Sequence, residues 1–155
     1  MGVPLLPCFG RNLLNRPMPQ YVAFLRGINL GKRRVKMDHL RDLFEKMGFT
    51  AVSTYIASGN VLFSSTSRSS SKLEVLIEKE LESALGYAVP TLVRTQAAVV
   101  LVVKNAPLGD LFTDGLKPST QITFFKQPIE PELEQTFASL RTPTDAFAVG
   151  DQTLY

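Results

Sequence analysis

Residues 21–36 read Tyr-Val-Ala-Phe-Leu-Arg-Gly-Ile-Asn-Leu-Gly-Lys-Arg-Arg-Val-Lys. The first five, YVAFL, form an unbroken apolar run of strand length, which suits a central buried strand. The next eleven, Arg26 to Lys36, hold five cations and two glycines and no carboxylate. After them Met37, Leu40, Leu43, Phe44 and Met47 recur at helical spacing, and Gly48 stands where a left-handed cap closes a helix. The stretch therefore predicts strand, basic loop and helix in succession.

Outward from there the pattern continues. Ala51–Ala57 is β-branched and aromatic, Ser58-Gly59-Asn60 is a turn, and Val61–Phe63 is the returning strand of a hairpin. A serine-rich loop covers 64–71. Ser71 and Glu74 have capping-box spacing, and Leu73, Leu76, Ile77, Leu81, Ala84 and Leu85 make one helical face ended by Gly86. Val89–Arg94 is again a strand. The order β-α-β-β-α-β predicts an α+β, ferredoxin-like unit over 18–94.

The segment 95–155 predicts a second unit of the same kind. Thr95–Asn105 is expected to be a helix capped by Thr95, although its valines also suit a strand. Gln121–Lys126 alternates as a strand does. Pro131 fits a first helical turn, followed by Leu133, Phe137 and Leu140. Ala146–Val149 and Gln152–Tyr155 flank Gly150-Asp151 as a hairpin. That gives β-α-β-β without a closing helix and strand, so the second unit is expected to be incomplete and to expose Phe147 and Tyr155 as a surface for self-association. Residues 1–17, with three prolines and no periodicity, read as a disordered leader or as the product of an early start codon, with Met18 the true initiator. They lack the cationic start and cleavage pattern of a secretory signal.

Composition limits the function classes. Of 155 residues 45% are hydrophobic and 20% charged, an ordinary globular balance. No apolar run approaches the roughly 18 residues of a spanning helix, so no membrane association is expected and the cytoplasm is the expected compartment. Cys8 is the only cysteine and His39 the only histidine. A disulfide within the chain is thereby excluded, and no metal site or other cofactor is expected. The net charge is +3, but residues 18–46 alone set seven cations against three carboxylates, a local +4. A local basic patch says more about partners than the overall charge.

In a ferredoxin-like unit the first two strands run parallel with the third between them. The basic loop, the 58–60 turn and the first helix's N-terminus then share one edge of the sheet. Unpaired N–H groups and a partial positive charge mark a helix N-terminus. Gly27 and Gly31 let backbone approach a ligand. Arg26, Lys32, Arg33, Arg34 and Lys36 supply charged donors, and Asn29, Ser58, Gly59 and Asn60 complete the candidate site. The expected ligand is an anion: a phosphorylated small molecule, a nucleotide or a nucleic-acid backbone. The loop has neither GxxxxGK[ST] nor GxGxxG spacing, and no catalytic set stands out. Two other functions compete: a phosphate or acyl-phosphate hydrolase using Arg26 on the oxyanion and Asn60 on water, and an interaction domain docking an acidic partner. His39 is expected to be exposed, Glu74, Glu78, Glu80 and Glu82 to form a wet helix face, and Tyr55 and Phe63 to be core residues with the chemistry to stack on bases. Cys8 has no visible base.

The pieces FLRGINLG with VKM, and SGNVLF, closely resemble the bacterial family catalogued as domain of unknown function 1697, and the likeness runs from Met18 to the end. It implies two ferredoxin-like subdomains and a start at Met18, and it brings no activity. Its motif residues correspond to Arg26, Gly27, Asn29, Gly31, Lys36, Met37, Ser58, Gly59 and Asn60. Members normally continue past Tyr155 into a helix and strand with an Arg-Asn-Trp-like motif; this chain has no tryptophan.

Overall fold

A computed structural model describes residues 17–56, 59–105, 107–108, 120–142 and 145–155. The expected leader thus lies outside the described residues, apart from Pro17, and so does Ser58. The described elements are β1 (Gln20–Leu25), α1 (Met37–Lys46), β2 (Thr50–Tyr55), β3 (Asn60–Ser64), α2 (Ser70–Leu85), β4 (Thr91–Thr95), α3 (Gln96–Asn105), β5 (Thr123–Phe124), α4 (Pro131–Ser139) and β6 (Thr153–Leu154).

The architecture is mixed α+β. The first four strands form one sheet in the order β2-β3-β1-β4, with β1–β3, β1–β4 and β2–β3 all antiparallel. β1 and β2 are therefore parallel with β3 between them. The apolar run at 21–25 sits centrally, as its composition requires, and Tyr21, Ala23 and Leu25 point into the core. Leu40 and Phe44 from α1 and Leu73, Ile77 and Leu81 from α2 close over that face. Full burial of such side chains contributes about 1.5–3 kcal/mol each. Phe63 lies in this core with its ring 4.5 Å from Phe49 and 5.6 Å from Phe44, while Tyr55, expected inside, is 64% exposed at the end of edge strand β2.

Helix α2 corrects two expectations. Its N-cap is Ser69, whose hydroxyl accepts from Lys72 N, and the helix begins at Ser70, so Ser71 is not the cap. Glu74 and Glu78 do not belong to a wet face. Glu74 is buried, and its Oε1 accepts from Val93 N at 2.8 Å; Glu78 Oε1 accepts from Thr91 N at 2.8 Å. Those N–H groups belong to β4, an edge strand. Residues four apart on a helix lie on one face, and here that spacing matches alternate residues of the strand. The two carboxylates supply the acceptors that a further strand would have offered.

Beyond β4, Thr95 Oγ1 accepts from Ala98 N at 3.1 Å and starts α3; the valine run 99–103 is helical. Only Thr123–Phe124 of the expected 121–126 strand is regular, pairing antiparallel with Thr153–Leu154 of β6. The expected final hairpin is present: Ala148 and Tyr155 exchange both backbone bonds, and Gly150 N donates to Thr153 O. Phe147, 38% exposed, lies against Phe137 of α4, and Tyr155 is half-buried. Phe124 meets Phe24 of β1 at 5.0 Å, and Arg94 donates to Phe125 O. Among the described residues no helix is long and apolar enough to cross a membrane.

Candidate functional site

The strand order places four chain segments at one edge of the sheet. β1 ends there at Leu25, β2 ends at Tyr55, β3 begins at Asn60 and β4 begins at Thr91, since Phe24 pairs with Asn60 and Leu25 with Thr91. Leu25 N donates to Gly59 O at 3.2 Å, and Arg26 N donates to Pro90 O at 2.9 Å. The basic loop is thus pinned on one side to the hairpin turn and on the other to the strand entering from α2.

Ile28 anchors the loop. Its side chain is 1% exposed, and its carbonyl accepts from the Tyr87 hydroxyl at 3.0 Å. Gly59 (φ +86°) makes room for it: a β-carbon at Gly59 would stand 2.5 Å from Ile28 Cγ2 and 3.2 Å from Leu25 O. The turn's glycine is therefore required twice, by backbone conformation and by contact with the loop. The left-handed position belongs to Gly59; Asn60 is the first residue of β3.

The remaining candidates separate into those that build the loop and those that face solvent. Asn29 Oδ1 accepts from Val35 N at 2.7 Å, which closes the loop before α1. Arg34 Nη1 donates to the carbonyls of Asn29 and Arg33 at 3.2 and 3.0 Å. Gly31 (φ +64°) stands inside the turn in which Arg33 N donates to Leu30 O. Arg26, Lys32, Arg33, Arg34 and Lys36 are all exposed. Among the described residues the ion pairs are Arg41–Asp38, Arg94–Glu74 and Lys126–Glu78, and none includes a cation of the loop. Lys36 is the N-cap of α1, with no side-chain cap bond. His39 is exposed. Among the described residues no group of His, Cys, Asp and Glu side chains is arranged to hold a metal ion.

Two participants escaped the sequence reading. Tyr87 carries the Arg33 guanidinium 4.3 Å from its ring centroid. Ile56, a β-branched residue, holds φ +47° at the entry to the hairpin turn and is 64% exposed; such a conformation costs about 1–3 kcal/mol. Tyr87 could have been found, because an antiparallel β4 must begin where β1 ends. Nothing in the sequence marks Ile56.

A family model described as protein of unknown function (DUF1697) matches residues 18–155. The chain belongs to that family. Among solved structures it is similar to the conserved bacterial protein SP0830 from Streptococcus pneumoniae, with a TM-score of 0.68 and 22% identity over 89% of this chain and 76% of that one. At that identity the likeness speaks for the fold. No curated protein matches the chain. The family and the neighbour carry no activity in their descriptions, so function rests on the geometry of this DUF1697 chain.

Proposed function

We propose that this protein binds a phosphorylated ligand at the edge formed by the Arg26–Lys36 loop and the Gly59 turn. One observation carries the reading: five exposed cations are gathered in a loop whose start is bonded to the Gly59 turn and to Pro90 ahead of β4, and no ion pair among the described residues neutralises them. Charge held in place without a carboxylate partner among the described residues is available to an anion. The first turn of α1 adds its unpaired N–H groups. We also read the first unit, 18–94, as ferredoxin-like and 95–155 as a second, incomplete unit of that kind; the strand order β2-β3-β1-β4 supports the first part.

The test is a thermal-shift titration of the full chain with inorganic phosphate, pyrophosphate and ribose 5-phosphate at low salt. A ligand that binds only the folded state raises the melting temperature with concentration. Stabilisation that is lost in Arg26→Ala and in Lys32→Ala/Lys36→Ala supports the site. No stabilisation by any of the three, or equal stabilisation of wild type and variants, overturns it.

A further inference from the structure

We infer that the ligand of this edge is a nucleotide unit, free or in a single strand, whose base stacks on the Arg33–Tyr87 step while its phosphate meets the neighbouring cations. The inference rests on the anion-binding reading above and adds the base.

Three features distinguish this edge from a plain phosphate cradle. First, Arg33 is a cation of the loop whose guanidinium lies over an aromatic ring, 4.3 Å from the centroid of Tyr87. The guanidinium remains part of an exposed residue, while the ring beneath it is half-buried. A guanidinium plane supported by an aromatic ring is a surface on which a flat base stacks. Second, the step is held in place. The Tyr87 hydroxyl donates to Ile28 O at 3.0 Å, and Ile28 is locked against Gly59. Third, Leu30 is 72% exposed at the tip of the same loop, joined to Arg33 by the Arg33 N to Leu30 O bond. An apolar side chain among cations does nothing for a bare phosphate, but it suits the face or edge of a base. Arg26, Lys32 and Lys36 remain for the phosphate. Lysine would hold the phosphate as well as arginine by charge alone; only arginine presents a plane for stacking.

The experiment compares ligands of equal charge with and without a base. The full chain is titrated by calorimetry with AMP against ribose 5-phosphate, and with a single-stranded oligodeoxynucleotide against an abasic strand of the same length. The expected result is roughly tenfold tighter binding of the member that carries a base, as one stacked base contributes on alanine substitution. Arg33→Lys keeps the charge and removes the plane, and it should bring AMP and ribose 5-phosphate to equal affinity. Tyr87→Phe, which keeps the ring and loses the bond to Ile28 O, should weaken the preference, and Tyr87→Leu should lose it. AMP binding alone identifies a free nucleotide; binding that strengthens with oligonucleotide length identifies a strand; either supports the inference. Equal affinity for AMP and ribose 5-phosphate, or a base preference intact in Arg33→Lys, overturns it and leaves the anion site standing. Absence of binding by all four ligands removes the anion site and this inference together.

Discussion

Two regions of the same sheet treat charge in opposite ways. Along edge strand β4, charged groups are used up inside the fold. Glu74 and Glu78 accept the strand's outward N–H groups, Arg94 and Lys126 pair with those carboxylates, and Arg94 also donates to Phe125 O. At the end of the strands, the Arg26–Lys36 loop holds five cations, and none of them forms an ion pair with a carboxylate among the described residues. A buried carboxylate needs its hydrogen bonds to be tolerable at all. An exposed cation in water needs nothing, and its worth to stability is small. The first region is thus explained by folding alone; the second holds the cations on which the proposed anion site draws.

The comparison yields four predictions, each measured by urea denaturation with the melting temperature as a check. The largest concerns the hinge between loop and turn. Gly59→Ala places a β-carbon against Ile28 and Leu25 at a left-handed φ, and a loss of about 3 kcal/mol is expected from strain and overpacking together. A loss below about 1 kcal/mol would mean that loop and turn are not locked to each other.

Glu74→Ala comes next. It leaves the Val93 N–H without its acceptor in a buried setting and unpairs Arg94, for an expected loss of about 2 kcal/mol. Glu74→Gln keeps an acceptor oxygen and should cost less than half as much. If the two variants lose equal stability, the carboxylate matters for its charge and not as a substitute strand.

The third effect has the opposite sign. Ile56→Asn relieves a β-branched residue at φ +47°, because asparagine tolerates that region, and a gain of about 1 kcal/mol is expected. A gain accompanied by weaker anion binding would show that the strained turn also shapes the site.

The smallest effects test the contrast in charge itself. Lys126→Ala should cost about 0.5 kcal/mol through its partly exposed pair with Glu78. Lys32→Ala should change stability by less than that, since no ion pair among the described residues includes it. The ordering reverses if the loop is part of the folding core and not a recognition element.

Much of this was legible in the sequence. The apolar run at 21–25, the helical spacing from Met37 to Met47 and the hairpin around Gly59 are local patterns, and their periods state which side chains turn inward. The grouping of loop and turn also followed, because β-α-β-β-α-β order implies which strand ends meet. The limits lay with residues whose role depends on a distant neighbour. Glu74 and Glu78 look solvated on a helical wheel; only β4 lying alongside α2 turns them into acceptors for a strand. Tyr55 has a core residue's composition but stands at the end of an edge strand, where no layer covers it. Asn29, read as a ligand group, is bound to Val35 N and builds the loop.

Local pattern was enough to place β1 centrally, to outline α1 and the hairpin around Gly59, and to show a basic loop at a strand-to-helix junction, because each depends on periodicity and charge within a short window. What the charges do follows from packing. Whether a carboxylate seals an edge, an arginine rests on a tyrosine or a lysine faces water depends on what packs within a few ångströms, and those neighbours come from 13 to more than 50 positions away along the chain.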